Sequence, residues 1–186
     1  SETKPEIRLR HMTHLIDHLL EKSHKSAEEY IEQMRYYAAE YGIDSCFVRS
    51  LIFKSIMKAR LAQLKEANEI LEVALDRALK IDHKRHTARC YMLLGVNHMR
   101  LGNYDDAVKN VRASIDTAKV NGLENDLGTG YMVLGNINHD LNKYEEAERF
   151  FLESLKIHKK LDNERMISMV YNNLASLYFS QEDYET

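Results

Sequence analysis

Nine histidines, two cysteines and a set of spaced arginines are the residues with which this 186-residue chain could do chemistry. His14 and His18 stand four apart, the spacing at which two helical imidazoles can share one zinc ion, and His11 lies on the same face. No HExxH accompanies them, and no third ligand type converges short of Asp17 or a distant residue. The expectation is a polar capping face without a metal. His83 and His86 fall near an expected turn and read as solvent-exposed. Cys46 and Cys90 form no CxxC and occupy places where small apolar residues would fit, which predicts buried, reduced thiols and cytoplasm as the default compartment. No P-loop, GxGxxG, GxSxG or Cys–His pairing occurs, and the carboxylates fall on outer helix faces and at helix starts. The chain is therefore expected to be no enzyme and to need no cofactor.

The arginines are patterned differently. Arg89, Met92, Val96 and Arg100 follow i, i+3, i+7, i+11 and share one helix face, as do Arg49 and Arg60, eleven residues apart. Guanidinium groups hold carboxylates bidentately, so one reading is a site for an acidic peptide or a carboxylate. The other is a solvated face, or pairing with acids on adjacent helices. Asn136, Asn172 and Asn173 are a second pointer, because asparagine is a poor residue within a helix. Its amide can pair with both N–H and C=O of an extended peptide, or it can brace one helix against another. Met92, Met99 and Met132 either add an adaptable apolar floor or belong to the core.

The elements that must position these residues are helices. A single proline (Pro5) and seven glycines leave little material for turns, which predicts long helices and short connections. Hydrophobic residues make up 44% and charged residues 30%, ordinary for a globular protein. No apolar run approaches the ~20 residues that span a bilayer, and no signal-peptide pattern opens the chain. The net charge of −3 makes no case for nucleic acid, and no membrane is implied. Charge is uneven, however. Residues 48–87 carry nine Lys/Arg against five Asp/Glu, whereas 168–186 carry three acids (Glu182, Asp183, Glu185) and no Lys/Arg.

Self-similarity organises the whole chain. Tyr91, Tyr131 and Tyr171 are forty residues apart, as are Leu94, Leu134 and Leu174; Gly95, Gly135 and Ala175; and Tyr104, Tyr144 and Tyr184. Ala27, Ala67, Ala107 and Ala147 form a ladder at the same spacing. A helix pair cannot bury its own apolar stripe, so each unit must dock on its neighbours. Small residues at 95, 135 and 175 and in the Ala ladder would let backbones approach, and the tyrosines at 91, 131 and 171 would fill gaps between units. Gly102 and Asn142 can adopt the left-handed backbone of a tight turn. Asp105, Asp106, Glu145 and Glu146 then begin the second helix, where its dipole favours them.

The order Tyr-x-x-Leu-Gly, then Gly/Asn-x-Tyr, then Ala resembles the tetratricopeptide repeat (TPR) family from residue 8 onward, strongly from 88. HEAT units also have periods near forty, but this residue order is a TPR pattern. The common TPR period is about 34; the extra residues here follow the Ala column, so the second helix is expected to be the lengthened one. The resemblance implies an all-α, right-handed superhelical solenoid of antiparallel helix pairs. It would be one array over 1–186, with units 8–47 (degenerate), 48–87, 88–127, 128–167 and a partial 168–186. Because the pattern stops inside a unit at Thr186, a fragment of a longer protein with an output domain beyond is expected.

TPR arrays line their concave surface with first helices. The resemblance places ligand contacts at Arg49, Ile52, Ile56 and Arg60; Arg89, Met92, Val96, Met99 and Arg100; Met132, Asn136, His139 and Asp140; and Asn172, Asn173, Ser176 and Phe179. The implied function is a protein- or peptide-binding module, with an acidic peptide as the favoured partner. Forty-residue arrays resemble those of bacterial signalling proteins, Rap-, PlcR- and MalT-like or preceding a GGDEF diguanylate cyclase. A structural scaffold, or a homodimer through the degenerate first unit, is the alternative.

Overall fold

The computed structural model describes residues 4–182. Among them are nine α-helices and no strand: α1 (Lys4–Lys22), α2 (His24–Glu40), α3 (Asp44–Arg60), α4 (Leu64–Lys80), α5 (Lys84–Arg100), α6 (Tyr104–Val120), α7 (Glu124–Asp140), α8 (Tyr144–Lys160) and α9 (Glu164–Glu182). Asp183, Tyr184, Glu185 and Thr186 lie outside the described residues, and with them most of the acidic end and the last turn tyrosine.

The expected asymmetry between helices is not found. Helices α3 to α8 are each 17 residues long, so the extension is shared. The reason is local. The Ala column marks where second helices begin but not where they end. The connection closing a second helix comes early, at Asn121–Leu123 for example, so Glu124–Leu127 join the next first helix.

Each connection after α2 is three residues long with its middle residue in the left-handed region: Gly42, Ala62, Asp82, Gly102, Gly122, Asn142 and Asp162. The third residue's N–H then reaches back to a carbonyl in the helix just ended, as from Gln63 to Lys58 (2.9 Å), Asn103 to His98 (2.9 Å) and Lys143 to Asn138 (2.8 Å). These are Schellman closures, which satisfy carbonyls that a helix end leaves unpaired. Such short links force neighbouring helices to run antiparallel. Acids occupy the first turns of α6 and α8 as anticipated (Asp105, Asp106, Glu145, Glu146). The α1–α2 link is different: Ser23 alone, whose hydroxyl caps α2 by accepting from the Ser26 N–H.

The chain divides into two compact units, Ser1–Leu93 and Leu94–Thr186. In the first, α2 packs between α1 and α3, and α3 packs on α4. Its core includes Leu9, Ile16, Ala27, Ile31, Met34, Phe53 and Met57. In the second, α7 packs on α6, α8 and α9 around Met132, Ala147, Phe151, Leu155, Val170 and Leu174. Gly95 and Gly135 do what their spacing predicts, whereas Ala175, at the same column on α9, is exposed. A Cβ on Gly95 would sit 2.5 Å from Val111 Cγ2, and one on Gly135 would overlap the Phe151 ring. No helix among the described residues is long and apolar enough to cross a membrane.

Candidate functional site

In the first unit the arginine candidates have separate environments. Arg60 ends α3, and its Nη1 donates to the Leu20 carbonyl in the last turn of α1 (2.6 Å), a structural cap on that helix end. Arg49 is half-buried on α3 and donates to Thr13 Oγ1 at 3.3 Å. Arg89 is exposed on α5, while Met92, Ile52 and much of Ile56 turn inward. Among the described residues neither Arg49 nor Arg89 is ion-paired, although this unit holds Lys54–Glu32, Lys58–Glu66 and Arg77–Asp44 pairs.

Between these arginines lies a residue that the sequence misplaced. His86 is not solvent-exposed but 5% exposed. His83 precedes α5 and its Nδ1 accepts the His86 backbone N–H (3.2 Å), which stacks the two rings 3.9 Å apart. The imidazole of His86 bonds to the Ser45 backbone, and its Nε2 has no partner. Burial first, then the His83 ring and the Arg49 guanidinium, hold its pKa down to about 3. The ring is therefore neutral at physiological pH, and the local field is positive. Two unpaired guanidiniums in such a field can hold an anionic group.

In the second unit the candidates form a polar row along α7 and α9. Asn173 Nδ2 donates to Asn136 Oδ1 (2.9 Å), and His139 Nε2 lies 3.1 Å from Ser180 Oγ. The amide pair is thus an interhelical brace, using one donor and one acceptor and leaving a nitrogen and an oxygen for other partners. Asn172, Ser176 and Phe179 are exposed on α9, and Asp140 and Arg100 are exposed at the ends of α7 and α5. Val96 and Met99 are half-buried, whereas Met132 is 6% exposed and belongs to the core.

Other candidates follow their local setting. His11, His14 and His18 are exposed on α1, and no three His, Cys, Asp or Glu among the described residues group as metal ligands. Cys90 is buried and its thiol is pushed up to about 12 by desolvation; Cys46, expected to be buried, is only half-buried because it lies in the first turn of α3. Sequence reasoning passed over His158, which is 0% exposed near the end of α8 with neither ring nitrogen hydrogen-bonded. It breaks a column of Ala38, Ala78 and Ala118, and the space for its ring comes from Gly128, whose missing Cβ would sit 2.7 Å from Nε2. Two departures from the repeat that compensate one another were the available signal.

With this geometry in hand, the chain can be set beside known proteins. A family model described as tetratricopeptide repeat matches residues 86–160 and again 126–186, together more than half of the chain. No curated protein matches the sequence. Among solved structures, BtubC from P. vanneervenii is similar at 27% identity and a TM-score of 0.72, over 89% of this chain and 68% of that one. Aspartyl phosphate phosphatase F from Bacillus subtilis superposes at a TM-score of 0.83 and 16% identity, over 100% of this chain and 48% of the phosphatase. A Signal Transduction ATPase with Numerous Domains protein with a tetratricopeptide repeat sensor, from Pyrococcus horikoshii, gives 0.74 and 16%, over 95% and 28%. The last two likenesses concern the fold alone, and the chain spans about half or less of those proteins. Family model, helix pairing and left-handed turns agree: the chain belongs to the tetratricopeptide repeat family.

Proposed function

We propose that this chain is a protein- or peptide-binding module, the regulatory or sensory part of a larger signalling protein such as a GGDEF diguanylate cyclase or a transcriptional regulator. The observation that carries the reading is the unpaired Arg49 and Arg89 on α3 and α5, one repeat apart and flanking the neutral, buried His86. Guanidiniums without acidic partners favour a carboxylate-bearing segment, so the partner is an acidic peptide stretch. In the second unit the Asn136–Asn173 and His139–Ser180 pairs offer backbone-reading groups of the kind an extended chain needs. Support for the regulatory setting comes from two relatives of the same fold, one named as an aspartyl phosphate phosphatase and one as a signal-transduction ATPase with a repeat sensor.

The test is a fluorescence-anisotropy screen of an acidic peptide library against wild type, Arg49→Ala/Arg89→Ala and Asn136→Ala. Loss of binding with the arginine pair, and steepened salt sensitivity in wild type, are expected. Binding that is the same in all three proteins would remove these arginines and Asn136 from consideration as contacts.

A further inference from the structure

The second unit carries a cavity on a face that the peptide-binding reading does not use. It measures about 410 Å³, within the range of small-molecule sites, and opens where the starts of α6 and α8 flank the C-terminal end of α7. Its floor is apolar, from Leu134 and Leu141, with Tyr104 and Phe150 as aromatic walls. Around the rim stand Arg112, Lys143 and Arg149 together with Asp105 and Glu146. None of these five is in an ion pair among the described residues; Arg149 only lies over the Phe150 ring, 5.2 Å from its centroid. Charges of both signs thus share one cavity without neutralising each other.

The repeat separates what the fold requires here from what it does not. Forty residues earlier, Leu94 and Leu101 stand at the floor positions and Asp106 stands where Glu146 is, so the framework is common property. Arg149 stands where Lys109 is and keeps its charge, but other rim and wall positions are remade. Glu72 corresponds to Arg112, Asn103 to Lys143 and Asn110 to Phe150, whereas Tyr104 is the turn tyrosine that recurs at 144. A solenoid needs its packing columns in every unit, but packing does not ask one unit to replace an acid by arginine and an amide by phenylalanine. These changes all converge on one cavity.

We infer that this cavity binds a free α-amino acid with an aromatic or branched apolar side chain. The guanidiniums of Arg112 and Arg149 take the carboxylate, which they can hold bidentately, with Lys143 adding a point charge. Asp105 and Glu146 take the ammonium, and the side chain lies on Leu134, Leu141 and Phe150. A simple anion would use the cations and leave two carboxylates repelling it. A cation would meet three positive charges. Only a ligand carrying both charges beside an apolar group answers every wall.

Isothermal titration and amide-shift NMR of the whole chain with L-phenylalanine and L-leucine, up to ~10 mM, test this, because so few ligand atoms support only modest affinity. Saturable binding with shifts at residues 104–112 and 138–150 is expected. Arg112→Gln and Glu146→Gln should each weaken it about tenfold or more. Lys65→Gln, which removes a charge elsewhere, should not, and far-UV circular dichroism should show unchanged helix content in all three. The ligand arms need no variant. Phenethylamine, lacking the carboxylate, and 3-phenylpropionate, lacking the ammonium, should bind at least tenfold more weakly. Equal binding of N-acetyl-L-phenylalanine would mean that a peptide C-terminus, not a free amino acid, is the ligand and would overturn the inference. So would the absence of saturable binding, or shifts confined to other residues.

Discussion

The pairing of His158 with Gly128 makes a demanding prediction, because the two residues should be energetically inseparable. Glycine inside a helix normally costs about 0.5–1 kcal/mol relative to alanine. Gly128→Ala would stabilise α7 by that amount if nothing stood in the way. Here a new Cβ would lie 2.7 Å from His158 Nε2, 2.9 Å from Cε1 and 3.0 Å from Ile157 Cγ2. The buried ring cannot swing into solvent, so overpacking should cost about 1–3 kcal/mol and reverse the sign. Removing the ring first, with His158→Ala, restores the alanine found at 38, 78 and 118. In that background Gly128→Ala should recover its ordinary gain. The coupling between the two substitutions is then about 1.5–4 kcal/mol, read from urea unfolding of the four proteins of a double-mutant cycle.

The same ring gives the experiment a pH axis. Burial lowers the His158 pKa below its usual value, and neither ring nitrogen has a partner to offset this. On α7 and α9, the helices packed against α8, Glu124 is paired with Lys160 and therefore does not compensate an imidazolium. A group whose folded pKa is depressed contributes its stability above the unfolded pKa and loses it as pH falls. Wild type should therefore lose stability relative to His158→Ala from about pH 6.5 downward, by at most about 2 kcal/mol at pH 5. Additive effects in the cycle, with Gly128→Ala stabilising in both backgrounds, would refute the wedged ring. So would a pH-independent difference between wild type and His158→Ala.

Three further outcomes follow from the turns, the packing columns and the thiols. Ala62 holds a φ of +61° that alanine adopts only at a cost, so Ala62→Gly should stabilise by about 1 kcal/mol and raise Tm by roughly 2–4 °C in calorimetry. Gly135→Ala should destabilise by about 1–3 kcal/mol in urea titration because its Cβ meets the Phe151 ring, and Phe151→Leu should relieve part of that loss. With a disulfide reagent at pH 8, the half-buried Cys46 should react in the native state, while Cys90, buried and pushed up to about 12, should react only on unfolding.

Much of this molecule is written locally and was therefore legible in its residues alone. The forty-residue spacing, the Ala ladder, the glycines at 95 and 135 and the turn residues Gly102 and Asn142 each act within a few residues or repeat identically, so pattern suffices to place them. Helix length was misjudged because no side chain in the columns marks where a second helix ends; the backbone closure at residues such as Asn121–Leu123 does. The candidate site was legible as a set of faces, but not as partnerships. That Arg60 would cap α1 through Leu20, forty residues away, and that Asn136 would meet Asn173 depend on which helices come to lie side by side. His86 and His158 read as polar residues and are buried, one under a stacked His83 ring and one in the space left by Gly128. Repeat, helices and turns follow from residue order alone, because they rest on short-range sterics and hydrogen bonds. Which charges are spent, which histidines lose their water and where opposite charges share a cavity emerge only on folding, because they depend on groups brought together from distant parts of the chain.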